Sequence, residues 1–124
     1  MSTQCGVAIK TEKGYETIYV HSDGYPEYMW PILTEHYNSE EAAKKMISFG
    51  DASYIDERLE PTPGCYHSFN KREPGVSVFY SRDRGEEYNS TLFETKNKLF
   101  NSYYYAYIWE NGCWNFYKDG RKVY

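Results

Sequence analysis

The segment that most restricts the fold is YYYAYIWENGCWNFYKDGRKVY, residues 103–124. Asn111-Gly112 and Asp119-Gly120 are two-residue turn dipeptides, because Asn, Asp and Gly tolerate the positive φ that tight hairpin turns demand. The aromatic runs around them therefore read as a three-stranded antiparallel meander. Pairing across Asn111-Gly112 sets Trp109 opposite Trp114, Tyr107 opposite Phe116 and Tyr105 opposite Lys118 on one face. Ala106, Ile108, Cys113 and Tyr117 fall on the other. Both faces are apolar or aromatic, so such a sheet is either covered on both sides or offers one side to a partner.

Upstream, CGVAIKTEKGYETIYV alternates Cys5, Val7, Ile9 and then Ile18, Val20 about a turn at Glu12-Lys13-Gly14, the pattern of a half-buried hairpin. After Asp23-Gly24 the spacing turns helical, with Met29, Ile32, Leu33 and His36 on one side. Pro31 lacks an N–H, so this helix either kinks there or starts there. A second helix is predicted in NSEEAAKKMISFG, capped by Asn38, striped by Ala42, Ala43, Met46 and Ile47, and stopped by Gly50. Pro61, Pro63 and Pro74 exclude a central strand from residues 51–75, which read as an ordered loop over the core. VSVFY, residues 76–80, reads as a strand, and the charged segment 86–101 has no decisive period. The expected fold is α+β in one domain, 1–124. It is an antiparallel sheet of N-terminal hairpin, central strand and C-terminal meander, with a short helix pair on one side.

With 124 residues the chain can bury one core without a second domain. Eighteen acidic against 14 basic residues give a net charge of −4, which argues against a generic binder of nucleic acid or anionic membranes. No apolar run reaches the roughly 20 residues that cross a bilayer, and the first residues lack a signal-peptide pattern. A soluble, cytoplasmic protein is expected. Cys5, Cys65 and Cys113 are odd in number and far apart, so they are expected as buried thiols and not as a disulfide framework or zinc site. The 15 tyrosines matter more, because a large ring with a hydroxyl suits stacking sites and interfaces.

Two runs carry chemistry. In VHSDGYPEYMW, His21 and Asp23, together with the distant His67, are residue types that move protons or hold metals, but the spacing lacks the paired ligands of a zinc site. Asp23-Gly24 is equally explained as turn chemistry, with His21 locking the corner between strand and helix. In YSRDRGEE, Arg82 and Arg84 stand two apart. If the strand continues, both guanidiniums project to one side, where a pair can grip phosphate or carboxylate. Asp83, Glu86 and Glu87 can instead absorb them in a surface network. Lys71-Arg72 either adds charge to such an anion site or is a solvated pair.

The series His21-x-Asp23-Gly24-Tyr25-Pro26, His36-Tyr37-Asn38, Gly50-Asp51, Glu60-Pro61, His67-Ser68-Phe69 and Arg82-Asp83-Arg84-Gly85-Glu86 resembles a family of small accessory proteins of bacteriophages and prophages, mostly of unknown function. The resemblance runs from about Val20 to Glu87, with Met29-Trp30-Pro31 departing from the helix opening it implies. It implies a phage accessory role and supplies no reaction. Small acidic phage proteins of this kind act against host defence, by blocking a defence protein or by sequestering its nucleotide signal.

The function expected on these grounds is sequestration, without turnover, of a small anionic nucleotide such as a cyclic ADP-ribose-type or cyclic dinucleotide signal. Tyr25, Tyr28 and Trp30 would stack on the base, Arg82 and Arg84 would take phosphate, and His21, Asp23 and His67 would take hydroxyls. No cofactor, metal or catalytic residue is assigned. A homo-oligomer, a dimer or a larger closed assembly, is expected, because exposed aromatic sheet faces are costly in a monomer. Two alternatives stand beside this reading. One is an inhibitor that docks a host defence protein on Tyr105, Tyr107, Trp109, Trp114 and Phe116. The other is a small phosphodiesterase using His21 and His67 as acid and base.

Overall fold

A computed structural model describes residues 3–64 and 67–123. The hairpin expected at the N-terminus is β1 (Cys5–Thr11) and β2 (Gly14–Val20), paired antiparallel with Cys5 opposite Val20. The chain then crosses the sheet through α1 (Pro26–His36) and α2 (Glu40–Ser48) before entering β3 (Ala52–Tyr54). Further along come β4 (Val78–Phe79), α3 (Tyr80–Arg84), β5 (Thr91–Phe93) and α4 (Lys96–Ser102). The meander closes the chain as β6 (Tyr105–Glu110), β7 (Cys113–Lys118) and β8 (Arg121–Lys122).

The strand order is β4-β3-β2-β1-β6-β7-β8, with β5 also paired to β2. This corrects the expected antiparallel sheet with one helix pair: the sheet is mixed, and among the described residues four helices accompany it. β1 and β6 run parallel, as do β2 and β3. The reason is the type of connection. A hairpin returns the chain antiparallel, whereas a helical crossover brings it back in the same direction. The α1–α2 pair carries the chain from β2 to its parallel neighbour β3. α4 carries it from β5, antiparallel to β2, across to β6, parallel to β1. Residues 86–101, without a clear period in the sequence, thus hold a short strand and a helix. In the segment expected to be all loop, Ala52–Tyr54 is a strand. The strand expected over residues 76–80 shortens to β4 at one edge, because Tyr80 already opens α3.

Both sheet faces are covered. Val7, Ile9, Ile18, Val20, Tyr107, Trp109, Trp114 and Phe116 pack beneath Met29, Leu33, Ala43 and Met46 of α1 and α2. The opposite face packs Ala8, Ala106, Ile108 and Tyr117 against Leu99 of α4, flanked by Phe93, Phe100 and Tyr103. At 25 cal/mol per Å², burying side chains such as these contributes about 1.5–3 kcal/mol each. The meander register across Asn111-Gly112 pairs Trp109 with Trp114 and Tyr107 with Phe116, and both turn residues have positive φ, 59° and 78°.

Local capping also departs from the sequence reading in detail. α2 is capped by Ser39, whose hydroxyl accepts the Ala42 N–H, and not by Asn38. α1 begins at Pro26 and runs through Pro31. The missing N–H there costs one hydrogen bond near the helix start. Cys5 is buried, Cys113 is exposed beside the Asn111-Gly112 turn, and Cys65 lies outside the described residues.

Candidate functional site

Where β2 and β3 end, the loops that follow them diverge and leave a cleft of about 850 Å³. This is the size range of small-ligand sites, about 300–1,000 Å³. His21, Ser22 and Asp23 follow β2, Tyr28 comes from α1, and Ser53, Tyr54 and Asp56 come from β3 and its exit. Phe69 and Arg72 come from the long loop, and Tyr80 and Arg84 from α3.

The turn at His21–Gly24 is held from three directions. Gly24 donates its N–H to Thr3 O at 2.8 Å, and its carbonyl accepts the buried Tyr107 hydroxyl at 2.9 Å. A Cβ on Gly24 would lie 2.7 Å from Cys5 Cβ and 2.9 Å from Thr3 O, so only glycine fits. Asp23 sits at φ 59°, a conformation that Asp and Asn tolerate better than other side chains. Tyr19 places its hydroxyl 2.6 Å from His21 Nδ1. That contact occupies Nδ1 and leaves Nε2 as the ring nitrogen open to a ligand. The His21–Gly24 motif is therefore a glycine-locked corner whose first three side chains line a cleft.

The two arginines of Arg82-Asp83-Arg84 part company. Both lie in α3, where residues two apart point about 200° from each other, so the shared face expected of a strand does not exist. Arg82 turns inward. It grips Asp83 through Nε and Nη2, each at 2.9 Å, and donates to Leu59 O and to Ser77 O, the latter at 2.9 Å. Its guanidinium also lies 5.1 Å from the Phe49 ring and 5.2 Å from the Phe79 ring. Arg84 turns toward the cleft, 4.8 Å from the Phe69 ring, and pairs through Nε with Glu86 at 3.1 Å.

Asp83 is the hub beneath the cleft, with its side chain 3% exposed. Besides Arg82 it accepts the Phe79 N–H at 2.9 Å and faces His67 Nε2 at 3.3 Å. Burial alone would push its pKa up, but hydrogen bonds from Arg82 and the Phe79 N–H, with the positive charge nearby, hold it below the usual carboxylate value. His67 Nδ1 accepts the Glu73 N–H at 3.0 Å, which places the hydrogen of the singly protonated ring on Nε2, toward Asp83. His67 thus ties together the two ends of the loop that carries Phe69 and Arg72.

Of the eight ligand residues named from the sequence, His21, Asp23, Tyr28 and Arg84 line the cleft. Tyr25 stands beside it, its ring 6.2 Å from that of Tyr28, and Trp30 packs against the main core. His67 and Arg82 lie underneath. Tyr107, Trp109, Trp114 and Phe116 are core residues, with Tyr105 packed against them, and Trp114 Nε1 donates to Tyr37 O at 3.0 Å. With this face under helices, self-association is not needed to bury it.

Residues beyond those eight complete the site. Arg72 stacks 5.2 Å from Tyr54 and 5.4 Å from Phe69 and donates from Nε to Phe69 O at 3.1 Å. Its signal was present in the basic pair Lys71-Arg72. Ser53, Tyr54 and Asp56 carried none, because they fall in a segment read as loop. Among the described residues no three His, Cys, Asp or Glu side chains gather as metal ligands, and no helix is long and apolar enough to cross a membrane. Set against protein-family models, curated protein sequences and solved structures, the chain matches none of them.

Proposed function

We propose that this chain is a phage-type counter-defence protein that binds a small anionic nucleotide signal in the host cytoplasm and holds it without turnover. Cyclic ADP-ribose-type and cyclic dinucleotide signals are the ligands in view. The phage setting rests on the motif series from His21 to Glu86. The binding chemistry rests on one observation: Arg72 and Arg84 flank the Phe69 ring at 5.4 and 4.8 Å in a cleft of about 850 Å³. Two guanidiniums around one aromatic ring suit phosphate oxygens beside a base, since guanidinium grips oxyanions in a bidentate way and rings stack on bases. Tyr54 and Tyr80 extend that aromatic wall, and His21 offers Nε2 to a polar group. Of the two histidines only His21 lines the cleft, which favours holding a ligand over cleaving it with a histidine pair.

The test is mass spectrometry of small molecules released by heat after incubation with a panel of cyclic nucleotides and ADP-ribose derivatives. The expected result is one intact nucleotide in near-stoichiometric amount, lost from a folded Arg72→Ala, Arg84→Ala double variant. Equal recovery from that variant, a cleaved product, or nothing bound to the wild-type chain would each defeat the proposal.

A further inference from the structure

The cleft holds opposite charges that do not meet. Arg72 and Arg84 lie over Phe69, and Arg72 over Tyr54 as well, while Asp23 and Asp56 line the same cleft with Tyr28. Among the described residues neither carboxylate forms an ion pair, while Arg84 pairs with Glu86 outside the cleft wall. Tyr28 does not bridge the gap, because its hydroxyl donates to Ile55 O at 2.7 Å. Burial first, and then the Asp56 and Asp23 charges, push the Tyr28 pKa up, which keeps that proton in place. Asp23 sits on the turn that Gly24 ties to Thr3 O and the Tyr107 hydroxyl, and Asp56 is held by the Ser77 hydroxyl on its N–H at 2.8 Å and the Glu57 N–H on its Oδ1 at 2.8 Å. Both are held at the cleft and do not trail into solvent.

Charges of both signs that line one cavity without pairing select a ligand that is itself divided. A polyanion filling the whole cleft would meet two carboxylates, whereas a molecule with phosphate at one end and hydroxyl donors at the other satisfies both sides. A carboxylate accepts from two adjacent hydroxyls without changing its charge, which makes a ribose diol a natural match. We infer that the ligand is a ribonucleotide whose sugar hydroxyls are read by Asp23 and Asp56 while Arg72 and Arg84 hold its phosphate. This rests on the nucleotide-binding reading and adds that the site distinguishes ribose from deoxyribose. It also makes Asp56, absent from every motif in the sequence, a specificity residue.

The experiment is titration calorimetry of cyclic ADP-ribose, or of whichever panel nucleotide is recovered, against its 2′-deoxy counterpart. It uses wild-type protein and the isosteric variants Asp23→Asn and Asp56→Asn. Asn tolerates the backbone of Asp23 and can accept the Glu57 N–H at position 56, so both variants keep the fold. The expected result is that the deoxy compound binds the wild type about 10- to 100-fold more weakly, the loss typical of one hydrogen bond to a charged group. That ratio shrinks in at least one variant. Equal binding of the two sugars to wild type would overturn the inference and leave nucleotide binding standing. A ratio unchanged in both variants would also overturn the assignment to these carboxylates. Binding of neither compound would remove the nucleotide reading together with the inference.

Discussion

Replacing Arg82 and Arg84 separately tests the division of labour in α3. Arg82→Ala removes a guanidinium that satisfies a carboxylate 3% exposed and two carbonyls, those of Leu59 and Ser77, in buried residues. Nothing nearby replaces it. His67 Nε2 lies 3.3 Å from the same carboxylate but makes no hydrogen bond to it. Breaking a buried, hydrogen-bonded ion pair by deleting one partner costs about 3–5 kcal/mol. With a urea m-value of about 2 kcal/mol/M, the unfolding midpoint falls by about 2 M. Arg82→Lys keeps the charge and loses the fork, and falls between wild type and alanine. Arg84→Ala deletes only a pair whose side chains are 55% and 50% exposed, worth about 0–1 kcal/mol, and moves the midpoint little. Urea unfolding followed by tryptophan fluorescence reads all three, because Trp109 and Trp114 lie in the main core. Equal midpoints for Arg82→Ala and Arg84→Ala would refute the inward–outward assignment.

Two further outcomes follow from the same geometry. Gly24→Ala places a Cβ 2.7 Å from Cys5 Cβ and 2.9 Å from the Thr3 carbonyl, an overpacking worth about 1–3 kcal/mol. The midpoint should fall accordingly, and a wild-type midpoint would mean the corner is looser than described. The pH dependence runs through Asp83, whose folded pKa lies below its unfolded value of about 3.9. Its contribution is complete above that unfolded value and is lost as pH falls through the folded pKa. Wild type and Asp83→Asn should therefore differ in stability at pH 6 and converge well below pH 4. A difference that stays constant on acidification would show that the Asp83 charge carries no stability.

What the residues disclosed and what they hid divides along physical lines. The meander was legible because Asn111-Gly112 and Asp119-Gly120 allow only a tight turn, and the alternation on either side then fixes the register. The first hairpin and the helix pair were legible for similar local reasons. The parallel pairings were not, because nothing in β1 states which strand will lie on its other edge. That choice is made by α4, a seven-residue helix whose only buried side chain is Leu99, too short to announce a period. Ala52–Tyr54 was hidden by the prolines that follow it. Its pairing is brief, one bridge to Val20 and two to β4, and yet its exit supplies Tyr54 and Asp56 to the cleft.

The arginine pair shows why a short motif can name the right chemistry and misplace it. In a strand, Arg82 and Arg84 would share a face and Asp83 would oppose them; in a helix, residues two apart point about 200° from each other and share none. The chain turns helical at Tyr80, so Arg82 and Asp83 close on each other inside while Arg84 faces out. The bidentate grip expected on a ligand is therefore made on Asp83, within the protein. What reaches the cleft is assembled instead from Arg84 and from Arg72, twelve residues earlier in the sequence. The inner grip underlies the outer one: Asp83 accepts the Phe69 N–H through its carbonyl at 2.9 Å, and its side chain lies 3.3 Å from His67 Nε2, so it helps to place the loop that carries Phe69 and Arg72. A variant of Asp83 is consequently expected to weaken ligand binding without touching the ligand. Separating that from a direct contact needs the stability measurement and the binding measurement on the same protein.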